Sequence, residues 1–224
     1  AFDPLDGSSI IDTNFSVGTI FGIWPGNKLT GVKGKDQAAA GMCVYGPRTT
    51  LSIAVKGMEG SHEFLLTPTG RWIRTLDMNT INEGKMCSPG NLRAREDNPH
   101  YKALTDYWFD NNYRIRYTGG MVPDVNQIMI KGYGVFAYPA SATHPAKLRC
   151  LYEVAPIGML IEKAGGKTSE GEKSVLETVI KDVNQTSQCA FGSAKEIERF
   201  EELVGKKGFA PGEYDKKYVD MEDA

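Results

Sequence analysis

Asp3-Pro4-Leu5-Asp6-Gly7-Ser8-Ser9 opens the chain two residues from its start and carries its densest chemistry. Two carboxylates three apart, stiffened by Pro4, precede a glycine and two hydroxyls. Hard divalent cations take oxygen ligands, and Mg²⁺ uses a few carboxylates together with substrate phosphate oxygens. Gly7 permits a sharp turn after which the amides of Gly7, Ser8 and Ser9 can cradle an anion. A metal grip and a phosphate grip would then lie side by side. Read alone, the same residues also suit a turn feeding a helix cap.

The rest of the chain is compatible with a soluble fold. Its 224 residues suffice for a sizeable core, and 41% apolar with 24% charged residues is ordinary for a globular protein. A net charge of −2 gives no bulk reason to expect nucleic acid or membrane partners. No run of about 18 apolar residues offers a membrane span. Cys43, Cys87, Cys150 and Cys189 are widely spaced with no C-x-x-C, which argues against structural zinc or a disulfide framework. Cys150 and Cys189 lie in apolar runs and read as reduced core residues.

Strand patterns cover residues 15–24, 49–56, 62–67, 71–75, 114–117, 135–138 and 188–191. Helix patterns cover 36–45, 121–131 and 146–164, the last closed by Gly165-Gly166. Asn98 caps a helix reaching about Asp110, and Ser193 to Glu196 form a capping box for one ending near Gly205. The interleaving lacks regular βα spacing, which predicts an α/β fold of α+β type with layered mixed sheets. Residues 1–205 read as one catalytic region and 206–224 as a charged tail, mobile or loosely docked.

Glu153 is the only charge between Cys150 and Ile161. A carboxylate on a buried helix face needs a cation or strong donors to offset its desolvation. Pro156 removes an amide and should bend or interrupt the helix there. A metal or catalytic role for Glu153 competes with a simple pairing to Arg149 one turn back. No Ser/His/Asp or Cys/His arrangement competes as a catalytic centre, since His62, His100 and His144 fall in separate contexts.

Three segments resemble the fructose-1,6-bisphosphatase family of Mg²⁺-dependent, lithium-sensitive sugar phosphatases. They are the D-P-L-D-G-S-S run, residues 146–158 (A-K-L-R-C-L-Y-E-V-A-P-I-G) and Arg116-Tyr117-Thr118-Gly119-Gly120-Met121-Val122-Pro123-Asp124-Val125. The resemblance implies the sugar-phosphatase fold and two or more Mg²⁺ ions, with Mn²⁺ as a substitute. It implies metal ligands at Asp3, Asp6, Glu153 and the Leu5 backbone oxygen, the three carboxylates being catalytic. The cleaved phosphate falls to Gly7, Ser8 and Ser9, and the sugar bisphosphate to Lys147, with Met121 on the sugar. Arg116 and Tyr117 are placed on the distal phosphate, Arg116 reaching across a subunit interface, with Tyr138 following.

The match is strongest to the seven-carbon branch, which acts on sedoheptulose 1,7-bisphosphate. Ser88-Pro89-Gly90-Asn91-Leu92-Arg93 stands where the fructose enzymes carry S-L-N-E-G-Y, and makes Asn91 and Arg93 distal-phosphate contacts. The expected reaction is hydrolysis of the C1 phosphate of that sugar, with a fructose-1,6-bisphosphatase as the alternative. An inositol monophosphatase-like enzyme would leave Lys147, Arg116 and Tyr117 without a task, whereas a non-enzymatic phosphosugar-binding protein need not keep all three carboxylates. The resemblance also implies a homodimer or homotetramer, a plastid or cytoplasmic setting, and further carboxylates upstream of Asp3. Only Ala1 and Phe2 precede Asp3, so the expectation is of a missing N-terminal portion and an inactive isolated fragment.

Overall fold

A computed structural model describes residues 1–205; the tail expected over 206–224 lies outside the described residues. The strands are β1 (Phe2–Asp6), β2 (Val17–Ile23), β3 (Val32–Lys33), β4 (Ala39–Tyr45), β5 (Thr49–Val55), β6 (Ser61–Leu66), β7 (Trp72–Met78), β8 (Asn82–Pro89), β9 (Arg114–Ile115), β10 (Tyr133–Tyr138), β11 (Lys167–Ser169), β12 (Val179–Ile180) and β13 (Cys189–Gly192). The α-helices are α1 (Pro99–Asp110), α2 (Met121–Lys131), α3 (Ala155–Lys163) and α4 (Ala194–Phe200).

β1-β2-β4-β5-β6-β7 form one antiparallel sheet. β11-β13-β10-β8-β9 form a second, mixed sheet in which β10 and β9 run parallel to β8. Strand alternation builds the layers. Ile20, Met42 and Ala54 of the first sheet and Phe136 and Phe191 of the second converge with Val122, Val125, Ile157 and Leu160 of α2 and α3 in the main core. Val135, Ala137 and Ala190 point the other way, toward Tyr101, Leu104, Trp108, Ile197 and Phe200 of α1 and α4. The layered mixed-sheet α/β architecture read from the sequence is the observed one.

Tertiary pairing overrides local propensity at residues 36–45. In place of the expected helix, a 3₁₀ turn over Gly34–Asp36 leads into β4, hydrogen-bonded on both sides by β2 and β5. Its small residues suit close approach: a side chain at Gly41 would collide with the Phe21 ring. The expected capping box at Ser193 is also absent. The Ser193 hydroxyl instead donates to Asn82 O at 2.6 Å, and Glu83 accepts from Lys195 N at 3.1 Å in the first turn of α4. α4 ends at Phe200, followed by a π-turn over Glu201–Gly205.

Asn98 does cap α1 as expected. Its Oδ1 accepts from Tyr101 N at 2.9 Å, while its Nδ2 donates to Ala140 O at 2.9 Å and ties down the segment after β10. The side chain is fully buried. Asn98→Ala loses the cap and orphans buried backbone groups, an expected loss of about 3 kcal/mol by denaturant unfolding. Asn98→Asp keeps the cap acceptor but sets a buried carboxylate oxygen against Ala140 O, so it too should lose stability. Equal stability of all three proteins would show that the contact to Ala140 carries nothing.

Candidate metal centre

In a regular strand, residues three apart face opposite sides. Asp3 and Asp6 escape this through an irregularity in β1: Asp3 pairs with Ile20 and Asp6 with Gly18, two positions on the same face of β2. The extra residue of this bulge turns both carboxylates one way. Pro4 is tolerated because β1 is an edge strand. The D-x-x-D spacing thus works through a bulged edge strand, with the turn beginning only at Gly7, whose φ is +89°.

The third carboxylate comes from a distorted helix start. Residues 146–149 are not helical; Arg149 bridges Thr186, and a π-turn over Cys150–Val154 precedes α3. Pro156, near the first turn of α3, has no amide to extend a helix backward. The expected 146–164 helix is therefore three successive conformations. In the π-turn, Glu153 and Val154 amides share the Arg149 carbonyl at 3.2 and 2.9 Å, and the Glu153 carboxylate accepts from Arg149 N at 2.6 Å.

Asp3, Asp6 and Glu153 each offer an oxygen, and these atoms lie within 4.8 Å of one another. Asp6 is buried and its Oδ2 accepts from Val122 N at 2.7 Å, in the first turn of α2. That approach requires Gly18, where a Cβ would strike Val122. Burial pushes the Asp6 carboxyl up to about 6; the Val122 amide opposes this, and Asp3 and Asp124 add to it. Burial pushes Glu153 up to about 7, opposed by the Arg149 amide and reinforced by Asp3 and Asp6. The Arg149 guanidinium is 4.0 Å from Glu153, at the outer limit of an ion pair. Three hard oxygen donors, two of them buried, fit a divalent metal ion.

Beside this cluster, Gly7 to Ile10 form a turn closed by Ile10 N to Gly7 O at 3.0 Å, leaving Ser8 and Ser9 exposed. Leu5 N donates to Asp3 Oδ1 at 3.0 Å, which holds that carboxylate against its own strand. Asp124, not singled out by the sequence, is fully buried and accepts from Thr118 N at 2.8 Å and Gly119 N at 3.3 Å. It folds the Arg116–Gly120 loop onto the start of α2. Its sequence signal was an acidic residue in the first turn after Gly-Gly.

The distal-phosphate set divides. Burial raises the Tyr117 and Tyr138 phenols, and the Arg93 guanidinium opposes the rise at both. Arg93 and Lys147 are exposed and make no ion pair among the described residues. Arg116 is exposed, its guanidinium 3.3 Å from Gln127 Oε1. Two residues are placed differently from expectation. Met121 is buried in the main core, and Asn91 spends its amide hydrogens on Pro139 O and His144 O at 2.8 and 2.9 Å. Asn91 thus holds the 139–144 segment, and its side-chain amide has no hydrogen left for a phosphate.

Comparison with known proteins bears on the same residues. The family pattern "Fructose-1-6-bisphosphatase, N-terminal domain" matches residues 1–77, and "Fructose-1-6-bisphosphatase, C-terminal domain" matches 80–205. The chain is 60% identical over 204 residues to the chloroplastic sedoheptulose-1,7-bisphosphatase of Triticum aestivum, covering 91% of this chain and 52% of that protein. It is 41% identical over 208 residues to the class 1 fructose-1,6-bisphosphatase of Campylobacter curvus, covering 92% and 68%. The crystal structure of Leishmania major fructose-1,6-bisphosphatase in its T-state superimposes with a TM-score of 0.83 at 35% identity, covering 90% of this chain and 68% of that one. The chain spans about half the length of the sedoheptulose-1,7-bisphosphatases it matches. With both family patterns matched in order and the carboxylates gathered by the same fold, the chain belongs to the fructose-1,6-bisphosphatase family.

Proposed function

We propose that the full-length protein hydrolyses the C1 phosphate of a sugar bisphosphate in a metal-dependent reaction, with sedoheptulose 1,7-bisphosphate as its preferred substrate. Residues 1–205 act in this reading as one catalytic region. The observation that carries it is the convergence of Asp3, Asp6 and Glu153 within 4.8 Å.

Asp3, Asp6, Glu153 and the Leu5 carbonyl hold Mg²⁺, or Mn²⁺ in its place. The ion supplies polarisation of a phosphate oxygen and of the attacking water. The Gly7, Ser8 and Ser9 amides orient the phosphate to be cleaved. Arg93, Tyr117 and Tyr138 hold the distal phosphate, Lys147 binds the bisphosphate, and Arg116 serves a neighbouring subunit. Phosphoryl transfer needs little covalent help from the protein, so placing both phosphates and the water in line is the main contribution of these groups. A guanidinium and phenol hydroxyls suit a phosphate that is held and not cleaved. We place the protein in a homodimer or homotetramer, in plastid or cytoplasm, consistent with the chloroplastic designation of its plant relatives.

The test is phosphate release from the two bisphosphates under identical Mg²⁺. The kcat/KM should be at least about tenfold higher for the seven-carbon sugar, a difference within reach of pocket discrimination. Preference for fructose 1,6-bisphosphate would reverse the substrate assignment. Binding of both sugars without release would instead favour a phosphosugar-binding protein.

A further inference from the structure

Gly90 occupies a position whose backbone does not demand glycine. Its φ is not among the positive values of this chain, whereas the next residue, Asn91, is left-handed at +49°. What Gly90 provides is space. A Cβ there would lie 2.6 Å from Cδ2 of Tyr138 and 3.0 Å from Ala137 O. The Tyr138 ring therefore lies where a side chain at position 90 would otherwise project.

The surroundings leave Gly90 little freedom to yield. Its amide donates to Ala137 O at 2.8 Å, tying it to β10, and its carbonyl accepts from Tyr101 OH at 2.7 Å. Asn91 then clasps Pro139 O and His144 O, on the far side of Tyr138 in sequence. The Tyr138 ring is stacked on Phe136, with centroids 6.5 Å apart and planes at 17°, and Phe136 stacks in turn on Phe191. With the backbone pinned and the ring backed by an aromatic row, the missing side chain sets where the ring can lie. Arg93, three residues on, and Tyr117 act on the phenol at the other end of that ring.

We propose that Gly90 is a specificity-determining residue: by offering no side chain, it lets Tyr138 lie back against the backbone and lengthens the distal-phosphate end of the site. The length of the sugar bisphosphate accepted is then set by a residue that touches no substrate. The inference rests on the reading that Tyr138 faces the distal phosphate.

The experiment measures kcat and KM for sedoheptulose 1,7-bisphosphate and fructose 1,6-bisphosphate on the full-length protein and on Gly90→Ala, Tyr138→Ala and the double variant. Gly90→Ala should shift the ratio of kcat/KM by about tenfold toward the shorter sugar, through KM, with kcat on the better substrate changed less than about twofold. In the Tyr138→Ala background the same substitution should move the ratio by less than about twofold, because the ring it displaces is gone. An equal shift in both backgrounds, or none in either, overturns the inference. If Gly90→Ala alone fails to fold, recovery of folding in the double variant supports the ring as the obstruction. Failure of both assigns the clash to Ala137 O and overturns the inference. The underlying reading fails separately, through a parent protein that releases no phosphate or a Tyr138→Ala variant with unchanged KM for both sugars.

Discussion

Glu153→Gln in the full-length protein is expected to lower turnover about a thousandfold, equivalent to about 4 kcal/mol of transition-state stabilisation, while leaving the fold intact. Gln keeps the size of Glu and can still accept from Arg149 N, so the π-turn should persist. What disappears is the charge that completes the cluster with Asp3 and Asp6. In the metal-free protein that charge is a burden. Burial is the chief reason that its carboxyl is pushed up to about 7 in the folded state, from an ordinary 4.5. The folded state thus holds a proton that the unfolded state has released. Metal-free stability linked to Glu153 therefore falls as pH rises from about 4.5 through 7, and the Gln variant should lack that slope. Phosphate release at saturating Mg²⁺ and thermal melts across pH in chelator test the two halves. Retained turnover within tenfold would remove Glu153 from the metal site.

Subunit mixing should give the second large effect. Arg116 follows the edge strand β9, is exposed, and has Ile115 and Tyr117 beside it at 49% and 46% exposure. Its backbone is fixed: its amide donates to Cys87 O at 2.9 Å, and its carbonyl accepts from Ser88 Oγ. Among the described residues its guanidinium has one hydrogen-bond contact, 3.3 Å to Gln127, which leaves it available to a neighbour in the proposed reading. Arg116→Ala and Glu153→Gln should each be nearly inactive alone. Mixed after subunit exchange, half the dimers are hybrid and each hybrid holds one intact shared site. Activity should then recover to about a quarter of the parent's, if the assembly is a symmetric dimer. No recovery after demonstrated exchange would show that Arg116 works within its own subunit.

Local signals that depend on neighbours in sequence were readable. The α2 helix begins and ends where periodicity and the Gly-Gly before it place it, and Asn98 caps α1 through the expected Tyr101 amide. Glu153 stood out because one carboxylate interrupts an apolar run, and its burial agrees with that pattern. The segment 36–45 misled because its small residues fit a helix as well as a strand. Pairing on both edges with β2 and β5, a non-local gain, decided for β4. Asn91 misled in another way, since a polar side chain next to a ligand site reads as a contact until its partners are known.

The sequence by itself determined which groups are on offer for the proposed chemistry: two carboxylates three apart, a lone glutamate in an apolar stretch, and arginines, tyrosines and a lysine suited to phosphate. Those identities are covalent, and no folding changes them. Only the tertiary structure decided that the groups meet. Asp3 and Asp6 face one way because β1 is bulged against β2, and Asp6 reaches Val122 because Gly18 lets α2 approach the sheet. Glu153 joins them because a π-turn replaces a regular helix before Pro156. The bulge and the π-turn are departures from regular geometry, and the Asp6–Val122 bond joins segments more than a hundred residues apart, where sequence periodicity carries no information.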